Sequence, residues 1–135
     1  MKTIKESDFA HQLGDTASLL DCRYISIPDL IPHKGKIPVA HKRPFDGILI
    51  TPSANLAIEL KIDYRPLKPH QREYLEYISQ VNSLAFVIRH ITTKKGVIYR
   101  VDLPVVNRKY PIIFSSSSIV ELIKFLKSQG VRKHE

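Results

Sequence analysis

Pro44-Phe-Asp-Gly-Ile-Leu-Ile-Thr-Pro-Ser-Ala-Asn-Leu-Ala-Ile-Glu-Leu-Lys61 is the stretch on which the fold turns. Two short apolar runs, Phe45 to Ile50 and Leu56 to Ile62, flank a turn of Pro, Ser and Asn, which is the pattern of a β-hairpin. In the second run the alternation is strict. Leu56, Ile58, Leu60 and Ile62 share one face, and Ala57, Glu59, Lys61 and Asp63 share the other. Glu59 and Lys61 are therefore same-face neighbours, their Cα atoms about 7 Å apart at a rise near 3.4 Å per residue. If the hairpin closes near Pro52 and Ser53, Asp46 falls opposite Glu59 to within a residue, roughly 5 Å away.

Two carboxylates so placed repel each other. A hard divalent cation between them turns that repulsion into coordination, because Mg²⁺ takes a few carboxylate oxygens and keeps several waters. Asp46 and Glu59 are thus the expected metal-binding acids, with Mn²⁺ as a substitute ion. Such an ion lowers the pKa of a bound water and polarises a phosphoryl oxygen. Lys61, two residues beyond the acid, can hold the water or offset charge that develops on phosphorus. The plain alternative is a same-face Glu59/Lys61 ion pair on a surface strand.

At these residues the chain resembles the PD-(D/E)XK nuclease superfamily, in which an acid opens one strand and acid-x-lysine follows on the next. Asp46 stands as the first acid and Glu59-Leu60-Lys61 as the second element. The pattern departs at its front, where Phe45 separates Pro44 from Asp46. Lys68-Pro69-His70-Gln71 is similar to the glutamine-bearing helix start of Holliday junction resolvases and of virus-type replication-repair nuclease modules. The likeness covers about residues 44–90. It implies that Gln71 points back at the Asp46/Glu59/Lys61 cluster, where its amide orients the water or the lysine. It also implies that Glu6, on the first helix, adds a further acid. By their residue type alone, Glu6 is a first-turn acid favourable to the helix dipole, and Gln71 is a solvent-facing helix residue.

Working outward, the 135 residues suffice for one domain with a real core. The single Cys22 excludes an internal disulfide and a cysteine-rich zinc module. No apolar run reaches the length of a membrane span, and Met1 to Asp8 lacks the apolar centre of a signal peptide. A cytoplasmic protein is expected, or a virus-encoded one acting in the host cytoplasm. The balance of 21 Lys and Arg against 13 Asp and Glu, a formal +8, fits a polyanionic partner, with nucleic acid the natural candidate.

Ile4, Phe9, Leu13, Ala17 and Leu20 recur at helical spacing, so residues 4–20 are expected to form an amphipathic helix started at Ser7-Asp8. Gly14 costs that helix about 1 kcal/mol relative to alanine and offers a point of breakage. Cys22 to Ile27 reads as a strand. Prolines 28, 32, 38 and 44 then hold residues 28–44 out of regular structure. From Leu30 to Phe45 this segment has no acid but carries Lys34, Lys36, Lys42 and Arg43, which are candidates for contact with a phosphate backbone. His33 and His41 lack a partner motif for metal binding. Lys68 and Arg72 are expected to add to a phosphate-binding rim.

A helix is expected over 70–81, with Leu75, Ile78 and Val81 as its buried stripe and Tyr74 and Tyr77 in the core beside them. Ser83 to Ile91 reads as a buried strand, parallel to the first hairpin strand, and Val97 to Leu103 as an edge strand. Pro104 to Pro111 is an extended connection. Ser115 to Ser118 caps a final helix whose Ile119, Leu122, Ile123 and Leu126 face inward, Gly130 stops it, and 131–135 is a frayed tail. The order implies an α/β sandwich around a mixed sheet. By resemblance this is a restriction-endonuclease-like αβββαβ core with an extra edge strand and a C-terminal helix. The implied activity is Mg²⁺-dependent endonucleolytic cleavage of branched or duplex DNA, in recombination, repair or phage replication, by a homodimer. A catalytically silent DNA-binding subunit and an RNA-processing nuclease are the alternatives.

Overall fold

In the computed structural model, which describes residues 4–28 and 43–129, the chain runs in order α1 (Glu6–Leu19), β1 (Arg23–Ser26), β2 (Gly47–Ile50), β3 (Asn55–Ile62), α2 (Pro69–Asn82), β4 (Ala85–Thr93), β5 (Gly96–Asp102), β6 (Ile112–Ser116) and α3 (Ile119–Gln129). The hairpin forms as its alternation predicts. Thr51 closes it: its N–H and hydroxyl both donate to the Ala54 carbonyl, and its hydroxyl accepts from the N–H groups of Ser53 and Ala54. β2 and β3 pair antiparallel from Ile50 opposite Asn55 to Gly47 opposite Ile58.

These strands belong to a six-stranded mixed sheet whose spatial order is the sequence order, β1 through β6. Every adjacent pair is antiparallel except β3 and β4, which run parallel with α2 crossing between them. Leu56, Ile58, Leu60 and Ile62 of β3 join Phe86 and Ile88 of β4 under α1 and α3, which supply Phe9, Leu13, Ala17, Leu122, Ile123 and Leu126. The opposite face carries a smaller cluster of Phe45, Ala57, Ala85 and Val87 beneath Leu75 of α2. The architecture is therefore α/β with helices on both faces of the sheet. With both faces covered, β3 buries Glu59 and Lys61 together with its apolar residues. Among the described residues no helix is long and apolar enough to cross a membrane.

Several expectations are corrected. β4 lies parallel to the second hairpin strand, not the first, because the crossover through α2 starts from β3 itself. β5 is not an edge strand, since β6 pairs along it. β6 escapes a reading of sequence because Ile112-Ile113-Phe114 is short and runs straight into serines; stacking of Phe114 on Phe125 of α3, centroids 4.5 Å apart, helps anchor it. Tyr74, Tyr77 and Val81 are exposed rather than core, for α2 turns Gln71 and Leu75 to the sheet and leaves the opposite side to solvent. α1 passes through Gly14 without a break and is capped at Lys5, two residues before the expected Ser7, with the Lys5 N–H donating to the Asp8 carboxylate. Ser118 caps α3 as expected, its hydroxyl accepting from the Glu121 N–H. Lys34, Lys36 and Lys42, with His33, His41, Gly130 and the 131–135 tail, lie outside the described residues.

Candidate active site

Asp46 directly precedes β2, whose pairing with β3 ends at Gly47 opposite Ile58, and its carboxylate reaches the Glu59–Leu60 segment of β3. Asp46 is held there from both sides. Its Oδ2 accepts from the Leu60 N–H at 2.7 Å, its Oδ1 lies 2.9 Å from the Arg43 guanidinium, and its own carbonyl accepts from the Ile27 N–H. Glu59 is wholly buried, and neither of its carboxylate oxygens accepts a hydrogen bond from the described residues. Lys61 is 5% exposed, and its ammonium stands 3.2 Å from Glu59 Oε2. Burial and then the Asp46 charge push the Glu59 pKa up to about 8, against the pull of Lys61. An acid that is ordinarily ionised at neutral pH is thus poised to hold a proton.

A cleft of about 580 Å³ opens over this cluster where β2 begins, β3 ends and the N-termini of α1 and α2 converge. Glu6, Arg43, Asp46, Lys61, Lys68 and Gln71 all line it, so residues far apart in sequence meet at one opening. Glu59 lies behind them. The Gln71 carbonyl accepts from the Lys68 N–H at 3.0 Å, which leaves its amide nitrogen as the end available to a ligand. The Glu6 carboxylate sits 3.8 Å from Arg65, which also lines the cleft. Among the described residues no three His, Cys, Asp or Glu side chains gather closely enough to hold a metal ion by themselves. Arg72 does not belong to this rim. It turns to the other side of α2, 3.1 Å from Glu76 and 4.7 Å over the Tyr110 ring, because a residue next to Gln71 points about 100° away around the helix.

Tyr24 and Arg65 enter the site without a clear signal in the sequence. Tyr24 reaches along β1 until its ring lies over Gly47, where an added Cβ would sit 2.6 Å from its Cζ and Oη and 2.5 Å from the Ile25 carbonyl oxygen. Gly47 therefore makes room for the ring beside Asp46. The Tyr24 hydroxyl is buried and finds no hydrogen-bond partner among the described residues. Burial first, then the charges of Asp46 and Glu59, hold its pKa well above the ordinary phenol value. It lines a second opening of about 350 Å³ that shares Glu6, Arg43 and Asp46 with the first. Arg65 could be found only as one more cation in the linker before Gln71.

The donor set suits a small hard cation. Two acids share a low-dielectric place, and neither Glu59 oxygen accepts a hydrogen bond from the described residues, so the pair could supply hard carboxylate oxygens to Mg²⁺. Asp46 must release Arg43 to take part, and that side chain is 36% exposed and so has room to swing out. Compared with known protein families and with the curated proteins, the chain matches none.

Proposed function

We propose that this cleft hydrolyses phosphodiester bonds in DNA as a Mg²⁺-dependent endonuclease of the PD-(D/E)XK type, acting on branched or recombining DNA as a Holliday junction resolvase does. The observation that carries the reading is Glu59: a wholly buried carboxylate at the floor of a cleft, with like-charged Asp46 beside it and, among the described residues, only the Lys61 ammonium at 3.2 Å to offset its charge. Left alone, such a group costs stability, and it is best explained by a cation and a reacting phosphate that the pair is built to receive. The order α1, β1, β2, β3, α2, β4 supports the restriction-endonuclease-like αβββαβ core, to which β5, β6 and α3 are additions.

Asp46 and Glu59 would hold the Mg²⁺, which when bound neutralises phosphoryl oxygens and lowers the pKa of a bound water. The chain's own residues do the rest. Lys61 places its ammonium where charge develops as water oxygen bonds to phosphorus and the ester oxygen leaves. The Gln71 amide nitrogen orients the attacking water. Lys68, Arg65 and the two helix N-termini favour the phosphate's entry, and Arg43 moves from Asp46 to the DNA backbone. Glu6, at the rim and near Arg65, supplies the further acid that can draw in the ion's waters. A homodimer would cut two strands symmetrically.

The test is cleavage of a labelled four-way junction beside a linear duplex of the same sequence, with Mg²⁺, with Mn²⁺ and with EDTA. Metal-dependent cutting that Glu59→Gln and Lys61→Ala abolish while circular dichroism stays unchanged is expected. Binding without cutting in either ion makes the protein a silent DNA-binding subunit. Preference for RNA in the same panel makes it an RNA-processing nuclease.

A further inference from the structure

On the far side of the 64–72 segment from the cleft, a second groove of about 560 Å³ runs between the start of α2, strands β4 and β5, and the 107–110 turn. Arg72, Arg89, Arg100, Arg108 and Lys109 line it, against Asp102 in its floor and Glu76 beneath Arg72, so three positive charges stand in excess. Arg108 and Lys109 are exposed, and neither is paired with a carboxylate among the described residues. Two aromatic rings accompany these charges. Tyr110 lies beneath the Arg72 guanidinium, and Tyr64, 69% exposed, has the Arg100 guanidinium 5.6 Å from its centroid.

The exposure of Tyr64 is constructed. The turn that carries it is clamped from below by buried Arg89, whose guanidinium donates to the carbonyls of Asp63 and Arg65 at 3.1 and 2.6 Å. Asp63 adopts φ +54°, donates its N–H to the His90 carbonyl and accepts from the Thr92 N–H. A large ring fixed outward on a rigid turn, with cations around it, matches what successive unpaired bases and their phosphates require. A duplex offers this groove only phosphates, for its bases are stacked on one another and have no face free for Tyr64.

We propose that this groove binds single-stranded nucleic acid, with a base stacked on Tyr64 and the flanking phosphates on Arg108 and Lys109. It goes beyond the cleavage reading and uses none of its chemistry. The two sites share the 64–72 wall, Arg65, Lys68 and Gln71 facing the cleft and Tyr64 and Arg72 facing the groove. An unpaired arm leaving the cleft over that wall arrives at Tyr64.

The experiment is fluorescence anisotropy in EDTA with a labelled mixed-sequence single-stranded DNA, the same sequence as RNA, and the DNA duplex. Tyr64→Leu is expected to weaken single-strand binding about tenfold and duplex binding less than twofold, while Tyr64→Phe binds as wild type. Joint Arg108→Gln and Lys109→Gln substitution should lower the salt slope by roughly 0.7 for each phosphate no longer neutralised. Irradiation of wild type with a 5-iodouracil-bearing strand should label Tyr64 or Tyr110, a readout that needs no variant to fold. Equal losses for single strand and duplex at Tyr64→Leu, adducts elsewhere, or displacement by polyglutamate as readily as by oligonucleotide would overturn the proposal. Either nucleic acid binding with this Tyr64 dependence upholds it, and the DNA and RNA arms say which one the groove takes. Because no Mg²⁺ is present, failure here leaves the cleavage reading standing, and failure to cut leaves this one standing.

Discussion

Two clusters of buried charge lie on the α2 face of the same sheet, one strand apart, and they are finished differently. In one, Asp102 of β5 receives Arg89 of β4 at 3.2 Å and Arg100 at 2.8 and 2.9 Å, and Nη1 of Arg89 donates to the carbonyls of Asp63 and Arg65. In the other, Glu59 takes no hydrogen bond from the described residues, Asp46 sits beside it with like charge, and the Lys61 ammonium stands 3.2 Å from its Oε2. The first has two cations for one acid, and both oxygens of that acid accept from them. The second has two acids, and the cations near them, Arg43 and Lys61, border a cleft. A saturated cluster is a structural clamp, whereas one left open at low dielectric stores a cost that a ligand can relieve.

The contrast breaks most visibly at Asp102. Asp102→Ala leaves buried Arg89 and half-buried Arg100 without this counter-charge, and urea denaturation should show a loss of about 3–5 kcal/mol. A loss below about 1 kcal/mol would mean that the clamp contributes no more than a surface pair.

In the open cluster the large effect should fall on rate instead. Lys61→Ala is expected to lower junction cleavage by about 10²–10³-fold. Its melting temperature should stay close to wild type, because Glu59 can stay neutral by keeping its proton. Unfolding in step with lost activity would place Lys61 with the structural cluster.

Next comes the pH profile of stability. A carboxyl group whose folded pKa is raised favours the native state fully below its ordinary value near 4.5 and loses that advantage as pH climbs to about 8. Wild-type stability should therefore fall by a few kcal/mol across that window, and Glu59→Gln should flatten the fall. At pH 8 to 9, Mg²⁺ at about a hundred times its dissociation constant should return about 2.7 kcal/mol to wild type and nothing to Glu59→Gln. A thermal melt series with and without the ion reads both. Parallel profiles for the two proteins would show that Glu59 ionises unhindered.

The smallest expected effect has the opposite sign from the first. Tyr24→Phe removes a buried hydroxyl that finds no hydrogen-bond partner among the described residues, so it should be neutral or stabilising by up to about 1 kcal/mol in chemical denaturation. Destabilisation beyond that would reveal a bond to the hydroxyl and make this cluster more complete than the unpartnered oxygen implies.

The readable part of the molecule was the part where local pattern and tertiary demand agree. The alternation of Leu56, Ile58, Leu60 and Ile62 predicted β3, the Thr51 to Ala54 turn fixed its partner, and the chain just before that pairing carries the Asp46 carboxylate to the Leu60 N–H. The helices that cover the sheet were legible for the same reason. β6 was not, since three apolar residues before a serine run carry too little pattern, and its pairing with β5 decides the matter. Tyr74 and Tyr77 misled because aromatic content argues for burial while helix phase, set by where α2 docks, turns them outward.

From the amino-acid order alone came the hairpin, the α/β class, the excess of positive charge and the placing of two acids and a lysine on one side of adjoining strands. Only the assembled fold decided that Glu59 would be wholly buried, that Tyr24 would lie over Gly47, and that Arg72 would belong to another groove. The reason is physical: side-chain direction along a strand follows from its two-residue period, but desolvation depends on what other segments lay over it. It is the desolvation, more than the spacing, that gives Glu59 its unusual proton affinity.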